Sequence, residues 1–240
     1  MTTAAVCTME DAKPGLEDLA ARYGHLDAAD LLRVMITDIF PGKIALVSSF
    51  GAESSVLLHL TAAVDPAIPV IFLDTRKLFG ETLRYRDALI GELNLSGVRS
   101  VLPDTEEVER DDHSGLLWTR DIDACCALRK VRPLDRALEG FDAWITGRKR
   151  FQSEERAGLE TIEITDGRVK INPVANWNAD DIEAYMVRHD LPRHPLVADG
   201  YLSIGCMPCT RRIRAGESYR DGRWAGLDKT ECGIHIGEGI

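Results

Sequence analysis

Short runs of β-branched and aliphatic residues alternate with stretches of helical spacing through the first two thirds of this chain. Lys43 to Ser49, Pro69 to Leu73, Val98 to Leu102 and Ala143 to Thr146 read as strands, separated by helices over Ala52 to Ala63, Glu81 to Leu93 and Ala127 to Leu138. Near-continuous apolar strands joined by helices specify a parallel sheet covered on both faces, an α/β architecture. Thr161 to Ile164 and Arg168 to Ile171 flank Asp166-Gly167, a pair suited to a tight hairpin turn. Asn178 opens a further helix to His189, with acidic residues in its first turn. The first 40 residues look helical and are expected to pack as an appendage. Beyond Leu191, proline, glycine and arginine predict loop.

The six cysteines narrow the chemistry. Cys125 and Cys126 are adjacent, Cys206-Met207-Pro208-Cys209 is a Cys-x-x-Cys turn, and Cys232 stands in Glu-Cys-Gly-Ile-His. Two thiolate pairs suit zinc or an iron-sulfur cluster. Vicinal side chains splay apart, which favours a bulky four-iron cluster without excluding zinc. No apolar run is long enough to span a bilayer, and the first residues lack the pattern of a secretory signal. The expected setting is therefore a reducing cytoplasm, where cysteines bind metals or catalyse. A net charge of -10 argues against nucleic-acid partners, so the local clusters Arg148-Lys149-Arg150, Arg211-Arg212-Ile213-Arg214 and Arg220 with Arg223 are suited to a small anion.

Two turns at strand ends offer such a site. Ser48-Ser49-Phe50-Gly51-Ala52-Glu53-Ser54 lies between a strand and a helix, where amides and hydroxyls gather at a positive helix end. It lacks the Gly-Lys-Ser/Thr ending of a Walker A loop, and alone it could simply be a serine-capped turn. Phe72-Leu73-Asp74-Thr75 ends the next strand, and its Asp-Thr could equally cap a helix. The histidines at 59, 189 and 194 read as structural, and those at 25 and 113 as surface residues.

These turns, together with Leu73 to Thr82, Cys125-Cys126 through Arg129-Lys130 to Leu134, Thr146-Gly147-Arg148, Cys206 to Arg211, Gly222-Arg223-Trp224 and Glu231 to His235, occur in an order that resembles the assimilatory adenylyl-sulfate (APS) reductases of the phosphoadenylyl-sulfate (PAPS) reductase family. The resemblance runs from about residue 44 to 236. It implies a Rossmann-like fold of the adenine nucleotide alpha-hydrolase-like type, and reduction of APS to sulfite and AMP with thioredoxin as donor, in sulfate assimilation and cysteine biosynthesis. It also implies a [4Fe-4S] cluster on Cys125, Cys126, Cys206 and Cys209. Implied substrate contacts are Ser48, Ser49, Phe50, Gly51, Glu53, Ser54, Asp74, Thr75, Lys130, Arg148, Arg220, Arg223 and His235. The alternatives are a PAPS reductase and a noncatalytic, metal-bearing nucleotide-binding module.

In this reading Cys232 is the nucleophile, its thiolate favoured by Lys229, His235 and the arginines, and it carries an S-sulfo group after AMP leaves. Once the cluster and nucleophile are assigned, only Cys7 remains, so the resolving dithiol comes from outside, which suits thioredoxin. Residues 1–215 are expected to form the nucleotide and cluster domain, and 216–240 a tail made mobile by glycines at 226, 233, 237 and 239. Homo-oligomer formation is left open. One departure stands out: the family's Asp-Thr-Gly is Asp74-Thr75-Arg76 here. An arginine would resist a positive φ or obstruct the ligand, so Arg76→Gly is expected to lower the Michaelis constant for APS.

Overall fold

In the computed structural model, which describes residues 15–227 and 229–235, six strands form one sheet in the order β3-β2-β1-β4-β6-β5. The strands are β1 Ile44–Val47, β2 Val70–Leu73, β3 Val98–Val101, β4 Ala143–Ile145, β5 Ile162–Thr165 and β6 Arg168–Ile171. All neighbours are parallel except β5 and β6, the expected hairpin. Asp166 and Gly167 both take positive φ, +52° and +73°, as a turn matched to strand twist requires.

Helices α1 (Leu16–Tyr23) and α2 (Ala28–Val34) precede β1, α3 (Ser54–Ala62) joins β1 to β2, and α4 (Gly80–Glu92) joins β2 to β3. Between β3 and β4 lie α5 (Thr105–Asp111), α6 (Leu117–Arg120), α7 (Ile122–Cys126) and α8 (Arg132–Ala137), and α9 (Ala179–Arg188) follows β6. Asn178 and Asp181 cap α9 reciprocally, each side chain accepting the other's backbone N–H at 3.0 and 2.9 Å.

Strand alternation divides the core between the two sheet faces. Ile44 and Leu46 pack with Leu31, Leu58 and Ile145 on one face, while Ala45 meets Ile71, Leu134 and Trp144 on the other. The expected N-terminal appendage is part of the first core: Leu19, Leu31, Leu32 and Met35 are all essentially inaccessible. At about 1.5–3 kcal/mol per buried side chain, four such residues contribute an amount comparable to a whole domain's net stability. Cys7 lies outside the described residues.

The helix expected to start at Ala127 starts earlier. Asp121 accepts the Ala124 amide at 2.8 Å and caps α7, placing Cys125 and Cys126 inside a continuous helical run rather than before one. The run widens into a π-turn over Ala127–Val131, which carries Arg129 and Lys130, before resuming as α8.

From β1 the chain moves outward to β2 and β3 on one side, then returns to place β4 on the other. The connections diverge there, which opens a crevice beyond the carboxyl ends of β1 and β4.

Against the first core, His194 is 1 % exposed. Its Nδ1 accepts the Leu196 amide at 3.2 Å, so Nε2, 3.0 Å from the Thr82 hydroxyl, carries the proton of a neutral ring. Burial lowers its pKa from 6.5 to about 4. The unfolded chain therefore binds the extra proton first, and stability falls as pH drops below 6.5. Urea unfolding at pH 7.5 and 5 should show wild type losing about 2 kcal/mol more than His194→Gln. Equal losses would contradict the neutral-ring assignment.

Candidate active site

The crevice is a cleft of about 210 Å³, walled by the ends of β1, β2 and β4, the loop at 202–206 and the tail. At the β1 end, Ser48, Ser49, Gly51, Glu53 and Ser54 line it. Ser48 Oγ accepts the Phe50 amide at 3.2 Å and Ser54 Oγ accepts the Gly51 amide at 2.8 Å, which folds the turn tightly onto the start of α3. Phe50 departs from the expectation. With φ +48° its ring turns away from the cleft into the core, edge-on to Phe72 at 5.3 Å.

Thr75 lines the cleft at the end of β2, but Asp74 does not. Asp74 Oδ1 accepts the Arg76 amide at 3.0 Å and closes the turn. Arg76 does hold the left-handed conformation, φ +59°, that a glycine would take without strain. Its side chain is exposed and outside the cleft wall, so it does not obstruct a ligand.

At the β4 end, Gly147 and Arg148 face the cleft, where Arg148 bonds Glu163 and its Nε is buried without a partner among the described residues. Two buried pairs beside it have no counterpart in local sequence spacing. Lys149, 4 % exposed, donates to Glu53 Oε2 at 2.6 Å, and Gln152 reaches the same oxygen at 3.0 Å. Arg156 Nε donates to Glu231 Oε2 at 2.6 Å, and Arg220 to Glu231 Oε1 at 3.2 Å. Beneath Arg148, Lys170 is fully buried 3.4 Å from Glu163, and burial lowers its pKa to about 8. The Lys149, Gln152 and Arg156 pairings join residues far apart in sequence, while Lys170 and Glu163 face each other across the hairpin. In contrast, Arg150 bonds the Leu159 carbonyl, Arg211 pairs with Glu217 and Arg212 with Asp199, so two thirds of the first basic cluster and none of the second face the cleft.

The described tail, expected to be mobile, is docked. Trp224 is 2 % exposed, Ile234 packs on the second core, and His235 stacks on Trp144 with ring centroids 6.2 Å apart. This places Cys232, buried, in the cleft with Lys130, Arg148, Arg220, Arg223 and His235. A hydrogen bond from the Cys126 thiol, helped by Lys130, the Ile234 amide and Arg223, holds the Cys232 pKa well below the ordinary thiol value despite burial; metal ligation of Cys126 would remove that donor and leave Lys130, the Ile234 amide and Arg223. Burial opposes charge on Lys130, yet the sulfurs of Cys206, Cys232 and Cys126 outweigh it and raise its pKa. Two expected activators differ. Burial, then Arg148 and Lys170, push the His235 pKa well down, so the ring is neutral, while Lys229 is paired with Asp123.

Cys125, Cys126, Cys206 and Cys209 line one small adjoining cavity with Trp118, Arg129 and Lys130. Among the described residues no three His, Cys, Asp or Glu side chains gather tightly enough for a single metal ion. Four free thiols around one cavity are the soft donors that zinc or an iron-sulfur cluster takes. Burial raises the Cys125 pKa to about 11, countered by Arg129, so metal binding there must release a proton. Arg129 is held by Asp112 at 2.6 Å and the Thr75 carbonyl at 3.0 Å, and the Thr75 hydroxyl lies 3.3 Å from Cys206 Sγ. Lys130 and Cys206 line both cavities and form the wall between them.

The fold and cleft define an adenine nucleotide alpha-hydrolase-like protein whose arginine-lined crevice holds a buried thiol. Residues 43–212 match the phosphoadenosine phosphosulfate reductase domain family, and the chain belongs to it. It is 50 % identical to an adenosine 5′-phosphosulfate reductase of Chelativorans sp. (strain BNC1), covering 94 % of this chain and 93 % of that one. A second, from Mesorhizobium japonicum, is also 50 % identical, over 91 % of this chain and 86 % of the relative. A solved phosphoadenylyl-sulfate reductase from Candida auris, in a phosphate complex, superposes with a TM-score of 0.70 at 27 % identity, covering 82 % of this chain and 96 % of that one.

Replacing Arg76 with glycine removes a left-handed penalty of about 1–2 kcal/mol, partly offset by glycine's freer unfolded chain. Chemical denaturation should show Arg76→Gly more stable by about 0.5–1 kcal/mol. Because the side chain stands outside the cleft, the Michaelis constant should change less than twofold rather than fall. A loss of stability would contradict the strain.

Proposed function

We propose that this chain reduces adenosine 5′-phosphosulfate to sulfite and AMP, with Cys232 as nucleophile and a thioredoxin-type dithiol as reductant. The observation that carries this reading is the burial of Cys232 in the same cleft as three guanidinium groups, Arg148, Arg220 and Arg223, each with a buried Nε that has no partner among the described residues. Buried unpaired donors cost about 1–3 kcal/mol each, so they favour a ligand that accepts from them. A sulfate joined to a phosphate supplies such acceptors, and planar guanidinium groups suit both.

The Cys232 thiolate attacks the sulfur of the sulfuryl group. The bond to the phosphate oxygen breaks with its electron pair, AMP leaves, and Cys232 becomes an S-sulfocysteine. Lys130, Arg220 and Arg223 balance the charge of the sulfonyl oxygens, while the serine turn and the start of α3 hold the nucleotide. A thiolate of the external dithiol then attacks Cys232 Sγ and expels sulfite. Its second thiol closes a disulfide, releasing the Cys232 thiol, so two electrons reach sulfur. With Cys126 committed to the cluster, no spare thiol among the described residues can resolve the adduct. Tail residues 216–240 then act as a unit that closes over residues 1–215 for the first step and opens for the second.

Cys125, Cys126, Cys206 and Cys209 hold a [4Fe-4S] cluster in this reading. Bound there, it would tie α7 to the loop at 206–209 and add its charge beside Lys130.

Anaerobically purified protein should contain iron and labile sulfide in near-equal amounts and release sulfite from APS with reduced thioredoxin. Cys232→Ser should retain iron and lose turnover by at least 1,000-fold, on the order expected when a covalent nucleophile is removed. Preference for the 3′-phosphorylated substrate would establish the PAPS alternative. Nucleotide binding without turnover would establish the passive module.

A further inference from the structure

Gly205 lies in the cleft wall immediately before Cys206. Its φ is not in the left-handed range, so its backbone alone does not demand glycine. What the position lacks is room. A Cβ there would fall 2.5 Å from Arg223 Cζ and 2.9 Å from Nη1, and closer still to Nη2. The guanidinium therefore lies against the Gly205 backbone, with Cζ 4.5 Å from the Trp224 ring centroid. The surrounding turn is well tied. The Gly205 amide donates to Thr210 Oγ1 at 3.2 Å, that hydroxyl donates to the Cys206 carbonyl at 2.9 Å, and Thr210 bridges to Arg223. The Trp224 amide donates to the Cys209 carbonyl at 3.0 Å. Arg223 Nε is buried without a partner among the described residues, so the backbone and indole fix the group while leaving donors for a ligand.

We infer that Gly205 is a positioning residue for the reaction. By carrying no Cβ, it admits the Arg223 guanidinium to a slot between its own backbone and Trp224, where the group meets the anionic part of the substrate. The flexible end of Arg223 can move away from an added methyl, so Gly205→Ala should shift the arginine and leave the fold intact. This inference rests on the APS reading above.

The test is a double-mutant cycle with wild type, Gly205→Ala, Arg223→Ala and the double variant, purified with their metal content. Equilibrium binding and turnover of APS are measured alongside iron content and melting temperature. Gly205→Ala should weaken APS binding about tenfold, with iron content and melting temperature close to wild type. In the Arg223→Ala background the same substitution should have less than a twofold effect, because its target is gone. A full tenfold effect in both backgrounds would overturn the inference, as would normal binding by Gly205→Ala. If Gly205→Ala instead loses iron or melts early, the glycine serves the cysteine loop and the inference also fails. Absence of APS binding by wild type would refute the underlying functional reading instead.

Discussion

A surplus of buried positive charge at the carboxyl edge of the sheet constrains everything around it. Lys130, Arg148, Lys149, Arg156, Arg220 and Arg223 all face one cleft, with Lys170 behind them. Burial and mutual repulsion lower the Arg220 pKa to about 10 and depress Arg148, so gathering these charges is unfavourable without anions. Three carboxylates partly neutralise the group: Glu53 on Lys149, Glu163 on Arg148 and Lys170, and Glu231 on Arg156 and Arg220. The guanidinium nitrogens left without partners among the described residues are the donors that the proposed function assigns to the substrate's anionic oxygens.

Glu231 gives this arrangement a second consequence. It belongs to the tail, and its carboxylate also accepts the Cys232 amide at 2.8 Å. The contact that neutralises two arginines thus also holds the Cys232 backbone in the cleft. His235 on Trp144 and Ile234 on the second core seat the following turn. Lys130, in the wall between the cleft and the four-cysteine cavity, links the charge of one to the charge of the other.

The strand and helix alternation made the sheet legible, and the Asp-Gly and Asn signals located the hairpin and α9 because their chemistry is local. The cysteine pairs likewise marked one cavity. Contiguous motifs were less reliable for individual side chains: Phe50 and Asp74 share strings with cleft residues, but one ring enters the core and the carboxylate closes its own turn. Lys149 and Arg156 carry no spacing signal, since each pairs across separate segments of the fold, whereas Glu163 and Lys170 face each other across the predicted hairpin. The burial of α1 and α2 carries no local signal either. Their burial depends on a core assembled from later strands.

Intact mass spectrometry after mixing anaerobic protein with APS alone, then with reduced thioredoxin, tests the central claim most directly. The account predicts one added SO3 unit in wild type, none in Cys232→Ser, and its removal by thioredoxin with release of sulfite. Sulfite release from APS without any adduct on Cys232, or an adduct that persists in Cys232→Ser, would contradict it.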